Sequence, residues 1–77
     1  MDWRKHIAID PSVCHGRACV AGTRVTVASV LDNLADGLSP EEILVSYPSL
    51  RRDDIRAVMG YAAALASDRV IPLEEAG

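Results

Sequence analysis

The sequence predicts a mainly α domain, with three short helices that follow a short N-terminal β element. Three patterns support this prediction: a helix boundary within residues 37–42, an apolar stripe of helical spacing from Val27, and alternating apolar and polar residues over 24–27. Three short helices joined by tight corners are a common plan for a helix-turn-helix DNA-binding protein.

The boundary between the first two helices is the clearest local signal. Gly37 can adopt a positive φ, which suits the position just past a helix end. Ser39 is a good N-cap, and Pro40 fits the first helical turn. Glu42 lies three residues after Ser39 and completes a capping box. A helix, a tight turn and a second helix are therefore expected here.

Each helix has an apolar side that we expect to be buried. The second helix is predicted over residues 40–47, and the third over about 52–67. The inward positions are Val27, Val30, Leu31 and Leu34 in the first helix, Ile43, Leu44 and Tyr47 in the second, and Ile55, Val58, Met59, Ala62, Leu65 and Ala66 in the third.

The N-terminal residues are predicted to be extended. Residues 1–18 are typical of an arm, in which a strand at 6–9 stops at the turn dipeptide Asp10-Pro11. Gly16 and Gly22 flank residues that could form a short hairpin. Strands this short need a helix or a second subunit to pack on.

The chain of 77 residues is predicted to form one domain: 1–27 as arm and β-hairpin, 28–67 as three-helix core, and 68–77 as tail. So small a domain buries only about 60% of its unfolded surface. With no Phe, one Trp and two Tyr, its core must consist of Val, Ile, Leu and Ala. We therefore expect a homodimer or a bound partner.

Charge and hydropathy limit the functional classes. A net charge of −3 is unusual for a nucleic-acid-binding protein, which usually shows a basic patch, but segregated arginines can still give a local positive face. No apolar run approaches the ~20 residues that span a bilayer, and the N-terminus does not resemble a signal peptide. A cytoplasmic protein with free thiols is expected.

Cys14, His15 and Cys19, with His6 upstream, raise the question of zinc. Structural zinc sites use four ligands, usually in paired Cys-x-x-Cys or His-x-x-x-His spacing, which this chain lacks. We therefore expect plain thiols, no metal and no other cofactor. A nucleophilic site would also need an acidic orienting group and a pocket, so no catalytic residue and no enzyme activity are predicted.

Several motifs are weak individually but specific in combination. They are Asp10-Pro11, Gly16-Arg17, Gly22-Thr23-Arg24-Val25-Thr26-Val27, Leu34-Ala35-Asp36-Gly37-Leu38-Ser39 and Tyr47-Pro48-Ser49-Leu50. Together they resemble the "domain of unknown function 433" family over roughly residues 7–66. The resemblance implies a homeodomain-like three-helix core after a small β element. It also implies an antitoxin-like protein that pairs with a PIN-like ribonuclease toxin.

Two positions depart from the family's pattern. Ala18 stands where the family usually has Pro, and Arg51 stands where it usually has Thr at the start of the third helix. Arginine cannot accept the N-cap hydrogen bond, so we expect Asp53 to cap this helix end, or the end to fray.

Arg51, Arg52 and Arg56 are the candidate DNA-binding residues. Recognition helices place their N-terminal residues on base edges and phosphates, and the arginine fork suits both. The alternative is an ordinary solvated face, on which Asp53 and Asp54 partly neutralise the arginines.

The candidate structural residues are those of the family turns, Gly22, Thr23, Arg24, Gly37 and Ser39. Arg24 could contact a phosphate or a partner. It could instead anchor the hairpin, by capping carbonyls or by pairing with Glu41 or Glu42. We favour the anchor, because a tight Gly-Thr-Arg turn needs one.

The candidate partner-binding residues are Trp3, Glu74 and Glu75. A Trp this close to a terminus either anchors a dimer or complex, or caps the monomer core. Acidic side chains suit a toxin whose RNA-binding cleft is positive. We expect an antitoxin-like protein that binds a PIN-like toxin and its own operator DNA. The alternative is a protein-interaction module that binds no DNA.

Overall fold

The β element is a two-stranded antiparallel hairpin in the computed structural model, which describes residues 2–68. Strand β1 spans Ile7–Asp10 and strand β2 spans Val13–Val20, after a 3₁₀ turn at Trp3–Lys5. The Asp10 carboxylate accepts hydrogen bonds from the Ser12 N–H at 2.9 Å and from the Ser12 hydroxyl at 2.7 Å. These bonds fix the tight turn between the strands.

The hairpin lies earlier in the chain than the sequence predicted. The short hairpin predicted around Gly16 and Gly22 was at the wrong position, because Ile7 pairs with Val20 and Ile9 with Ala18. Most of the expected extended arm is therefore paired in this sheet. The segment after Gly22 contributes one isolated bridge, between Cys19 and Thr26.

Strand β2 leaves the ladder for four residues. Asp10 pairs with Val13 while the neighbouring Ile9 pairs with Ala18, so residues 14–17 lie outside the register. Cys14, His15 and Gly16 have φ values of 54°, 54° and 79°. Left-handed backbone is uncommon for residues with a side chain, so three in succession mark a distinct left-handed turn beside the sheet.

The three predicted helices are confirmed. Helix α1 spans Val27–Ala35, α2 spans Pro40–Ser46 and α3 spans Arg52–Asp68. The capping box is formed as expected: the Glu42 N–H donates to Ser39 Oγ at 3.2 Å, and the Ser39 N–H donates to Glu42 Oε1 at 2.9 Å. The described residues thus form a mixed structure of three helices and a two-stranded sheet. Within residues 2–68, every helix is too short or too polar to cross a membrane.

The core lies between the hairpin and all three helices. Its buried side chains are Cys19, Val20, Val27, Val30, Ile43, Leu50, Ile55, Ala57 and Val58. The predicted inward sides of α1 and α2 are confirmed, with Leu31, Leu34, Leu44 and Tyr47 packed at the edge of this cluster.

The predicted inward side of α3 is partly wrong. Met59 and Leu65 are 43% and 42% exposed, and Ala66 is exposed too, whereas Ala57 is fully buried. The N-terminal 3₁₀ turn packs along α3 at Gly60 and Tyr61. The Trp3 and Tyr61 rings meet edge to face with centroids 5.2 Å apart, and a Cβ on Gly60 would lie only 3.1 Å from Trp3 Cδ1.

Candidate nucleic-acid interface

The three candidate arginines lie together where α3 begins. Arg51 immediately precedes the helix, Arg52 is its first residue and Arg56 follows one turn later; all three are exposed. Leu50 anchors the preceding turn, because its side chain is buried and its N–H donates to the Tyr47 carbonyl at 3.0 Å. The short α2–turn–α3 segment therefore presents arginines at a helix N-terminus.

The start of α3 is capped by Asp54, so the prediction of Asp53 or fraying was wrong. The Arg51 N–H donates to Asp54 Oδ2 at 2.9 Å. The other oxygen, Asp54 Oδ1, lies 2.9 Å from His6 Nδ1. Asp54 rather than Asp53 caps the helix because a carboxylate at the third helical position can reach back to the residue before the helix. Asp54 is thereby held in the structure, while Asp53 stays on the exposed surface.

One of the arginines is paired. Arg52 Nη2 lies 2.6 Å from Glu41 Oε2, and both side chains are largely exposed, at 66% and 58%. Exposed pairs of this kind contribute about 0–1 kcal/mol, so a phosphate can compete for the guanidinium. Within residues 2–68, Arg51 and Arg56 form no ion pair.

Thr23, rather than Arg24, anchors the turn after the hairpin. Its hydroxyl donates to the Val20 carbonyl at 2.9 Å and accepts from the Val25 N–H at 3.1 Å. The expected pairing of Arg24 with Glu41 or Glu42 does not form. Glu41 instead pairs with Arg52, and Glu42 belongs to the capping box.

A second basic group lies on the left-handed turn. Cys14, His15, Arg17, Arg24 and Thr26 line an open pocket of about 450 Å³. Of these residues, only Arg24 was predicted from the sequence as a possible phosphate or partner contact, and His15 and Arg17 were not. The only signal for them was the Gly16-Arg17 motif, which does not reveal that the chain turns back towards Arg24.

The two thiols differ in their surroundings. Cys14 is half-buried and donates from Sγ to the Arg24 carbonyl at 3.2 Å, whereas Cys19 is 1% exposed. Burial raises the pKa of the Cys19 thiol, and the adjacent Cys14 thiol and the Asp10 carboxylate raise it further. In the described part of the chain, no three His, Cys, Asp or Glu side chains come together as metal ligands.

The candidate partner-binding residues lie apart from the arginines or outside the described residues. Trp3 is half-buried and packs against Tyr61 of α3 in the same chain. This arrangement corresponds to the alternative in which Trp3 caps the monomer core. Glu74 and Glu75 lie outside residues 2–68. Two further acidic side chains, Asp32 and Asp36, are exposed near the end of α1.

Known proteins are similar to this chain in sequence, and a solved structure is similar to it in fold. Residues 7–62 match the family described as "Protein of unknown function (DUF433)". An uncharacterized protein of Sinorhizobium fredii, y4eO, is 38% identical over 61 residues, which are 79% of this chain and 28% of that protein. The crystal structure of a DUF433 member from Anabaena variabilis superposes with a TM-score of 0.74 at 30% identity, covering 82% of this chain and 62% of that one. The chain thus spans well under a third of the first relative and less than two thirds of the second.

Proposed function

The chain belongs to the DUF433 family, and on that premise we propose that it is a cytoplasmic antitoxin-like protein that binds a PIN-like ribonuclease toxin and its own operator DNA. In this proposal α2 and α3 act as a homeodomain-like helix-turn-helix, and the protein binds rather than catalyses. The observation that carries the DNA-binding role is the exposed group of Arg51, Arg52 and Arg56 at the start of α3.

The arrangement at α3 suits contact with a phosphate backbone. Arginine offers a fork of donors that matches phosphate oxygens, and the helix N-terminus adds a partial positive charge. Asp54 is engaged by His6 and by the Arg51 N–H, so Asp53 is the exposed carboxylate that opposes DNA in this turn. Glu41 would release Arg52 on binding, at a small cost because that pair is exposed.

A homodimer would double this contact. Helix-turn-helix proteins bind two half-sites about one DNA turn apart, so two weakly basic surfaces together can hold DNA that one cannot. Light scattering should then give about twice the 8.3 kDa mass of the chain. A chain that stays monomeric and folded at micromolar concentration would contradict the dimer.

The toxin-binding role is supported by the acidic surface. Asp32 and Asp36 are exposed near the end of α1, and the chain carries a net charge of −3. A ribonuclease that binds RNA presents positive charge around its cleft, which these carboxylates complement. We assign Glu74 and Glu75 to the same role on sequence alone.

A pure protein-interaction module is the second candidate. Ile9 and Val45 are 63% and 82% exposed, and Met59 is exposed beside the arginine face of α3. Apolar side chains at such positions favour a protein partner, because their burial in an interface removes apolar surface from water.

The salt dependence of DNA binding tests the first proposal. Arg52→Ala and Arg56→Ala should each weaken binding to the chain's own promoter and flatten the log–log salt slope by ~0.9. Glu41→Gln should strengthen binding, because it releases Arg52 from its ion pair. Arg4→Ala removes the same charge at the N-terminal turn and serves as the matched control.

The outcome separates the two candidates. Toxin binding should survive both arginine substitutions, since that surface is assigned elsewhere. If the parent chain fails to retard promoter DNA at low salt, with and without toxin, the DNA-binding role is wrong and the interaction module stands.

A further inference from the structure

The pocket beside the left-handed turn gathers basic side chains away from α3. His15, Arg17 and Arg24 line it together with Cys14 and Thr26, and its volume is about 450 Å³. We propose that this pocket is a phosphate-binding site, in which Arg17 and Arg24 hold the phosphate oxygens and His15 donates a further hydrogen bond. The site does not depend on DNA binding by α3.

The charges around the pocket are available to a ligand. Arg17 and Arg24 are both exposed, and neither forms an ion pair within the described residues 2–68. No carboxylate lines the pocket. In a chain with net charge −3, two arginines without acidic partners form a local concentration of positive charge. Arginine binds phosphate through paired, charge-assisted hydrogen bonds.

The backbone holds this group together. The Cys14 thiol donates to the Arg24 carbonyl at 3.2 Å, which ties the left-handed turn to the segment before α1. The turn needs such a tie, because positive φ at Cys14 and His15 is unfavourable for residues with a side chain. Strained backbone of this kind tends to occur at binding sites, where it sets side chains in position.

The start of α1 adds a favourable field. Thr26, which lines the pocket, is the N-cap of this nine-residue helix and accepts from the Ser29 N–H at 3.1 Å. A helix N-terminus carries a partial positive charge that favours an anion.

Asp10 is a negatively charged residue close to the phosphate pocket, where its charge would oppose an anion. It lines a second depression, of about 520 Å³, which shares Arg24 with the phosphate pocket. Its carboxylate is engaged by the Ser12 N–H and hydroxyl, and these bonds lower the pKa of Asp10. The carboxylate is thus held in the hairpin turn. Arg17 and His15 line the phosphate pocket and do not line the depression that contains Asp10.

The phosphate could belong to a nucleic-acid backbone or be free in solution. Titrating the ¹⁵N-labelled full chain with inorganic phosphate, at constant ionic strength, should shift amide resonances of residues 14–17 and 24–26. A duplex of arbitrary sequence provides the second titration. If it shifts the same amides and phosphate competes with it, the backbone is the source. If phosphate alone binds there, the source is free phosphate.

Substitutions in the pocket decide whether the site exists. Arg17→Ala and Arg24→Ala should each weaken phosphate binding by about tenfold, the loss of one charge-assisted contact. Arg4→Ala removes an exposed arginine that belongs to neither group, and it should leave the phosphate affinity measured from the amides of residues 14–17 and 24–26 unchanged. Because these amides report on the pocket alone, failure at α3 and failure here are distinguishable. Should an alanine variant unfold, Arg17→Lys and Arg24→Lys carry the test, because they keep the charge and lose the fork. Phosphate affinity unchanged in both pocket variants, or shifts confined to other residues, would overturn the proposal.

Discussion

His6 and Asp54 connect the hairpin to the start of α3, although 48 residues separate them in sequence: His6 Nδ1 lies 2.9 Å from Asp54 Oδ1. The second carboxylate oxygen accepts from the Arg51 N–H at 2.9 Å. A single side chain therefore caps the helix and ties it to the N-terminal segment. The positions of the candidate DNA-binding arginines depend on it.

Asp54→Ala should destabilise the protein by about 1–3 kcal/mol, because it removes both hydrogen bonds to a charged acceptor. Urea denaturation measures this loss. Asp53→Ala removes the same charge from the same turn at an exposed position and should stay within about 0.5 kcal/mol of the parent. Equal effects of the two substitutions would show that Asp54 does not cap α3.

Gly60 and Trp3 should prove energetically coupled. Replacing a helical Gly by Ala generally raises the free energy of unfolding by about 1 kcal/mol. Here the new Cβ would lie 3.1 Å from Trp3 Cδ1, which opposes this gain in stability. We expect Gly60→Ala to gain less than about 0.5 kcal/mol in the parent, and about 1 kcal/mol in a Trp3→Ala background. Thermal denaturation of the four chains measures the coupling. Equal gains in both backgrounds would place Trp3 away from α3.

The capping box of α2 should make stability depend on pH. Hydrogen bonds from Ser39 lower the pKa of Glu42 in the folded state. This stabilisation is therefore present above the unfolded pKa of about 4.3, and is lost as pH falls through the lower folded value. Ser39→Ala should cost about 0.5–2 kcal/mol at pH 7. The difference in unfolding free energy between the parent and Glu42→Gln should shrink from pH 7 to pH 3, and a constant difference would contradict the box.

The two cysteines should react at different rates. Cys14 is half-buried, whereas Cys19 is 1% exposed and its pKa is raised by burial and by the Cys14 thiol. At pH 8 iodoacetamide should therefore alkylate Cys14 in the folded protein, and Cys19 only once the protein is unfolded. Mass spectrometry of peptides identifies the labelled residue. Cys14→Ser is the control, because Cys19 is then the one remaining thiol.

The helices could be predicted because their signals are local. Gly37, Ser39 and Glu42 specify a boundary within six residues, and the spacing of Val27, Val30 and Leu34 specifies one buried side. The inward side of α3 was only partly predictable. Its register in the core depends on Trp3, which reaches Gly60 and Tyr61 from the other end of the chain.

The position of the candidate arginines was predictable for the same reason, and their role stays a prediction. Arginines at a helix start are visible in sequence, and the exposure of Arg51, Arg52 and Arg56 agrees with their proposed role. Partners distant in sequence are not visible there. The pairing of Arg52 with Glu41 and the lining of one pocket by Arg17 and Arg24 both arise only after folding.

The four-residue departure from the ladder of β2 has a consequence for how this chain can vary. Val13 is paired on one side of residues 14–17 and Ala18 on the other, so the loop between them can change in length without moving either pair. In an uninterrupted strand, one inserted residue would turn every later side chain to the opposite face. Insertions between Val13 and Ala18 should therefore leave Val20 in the core.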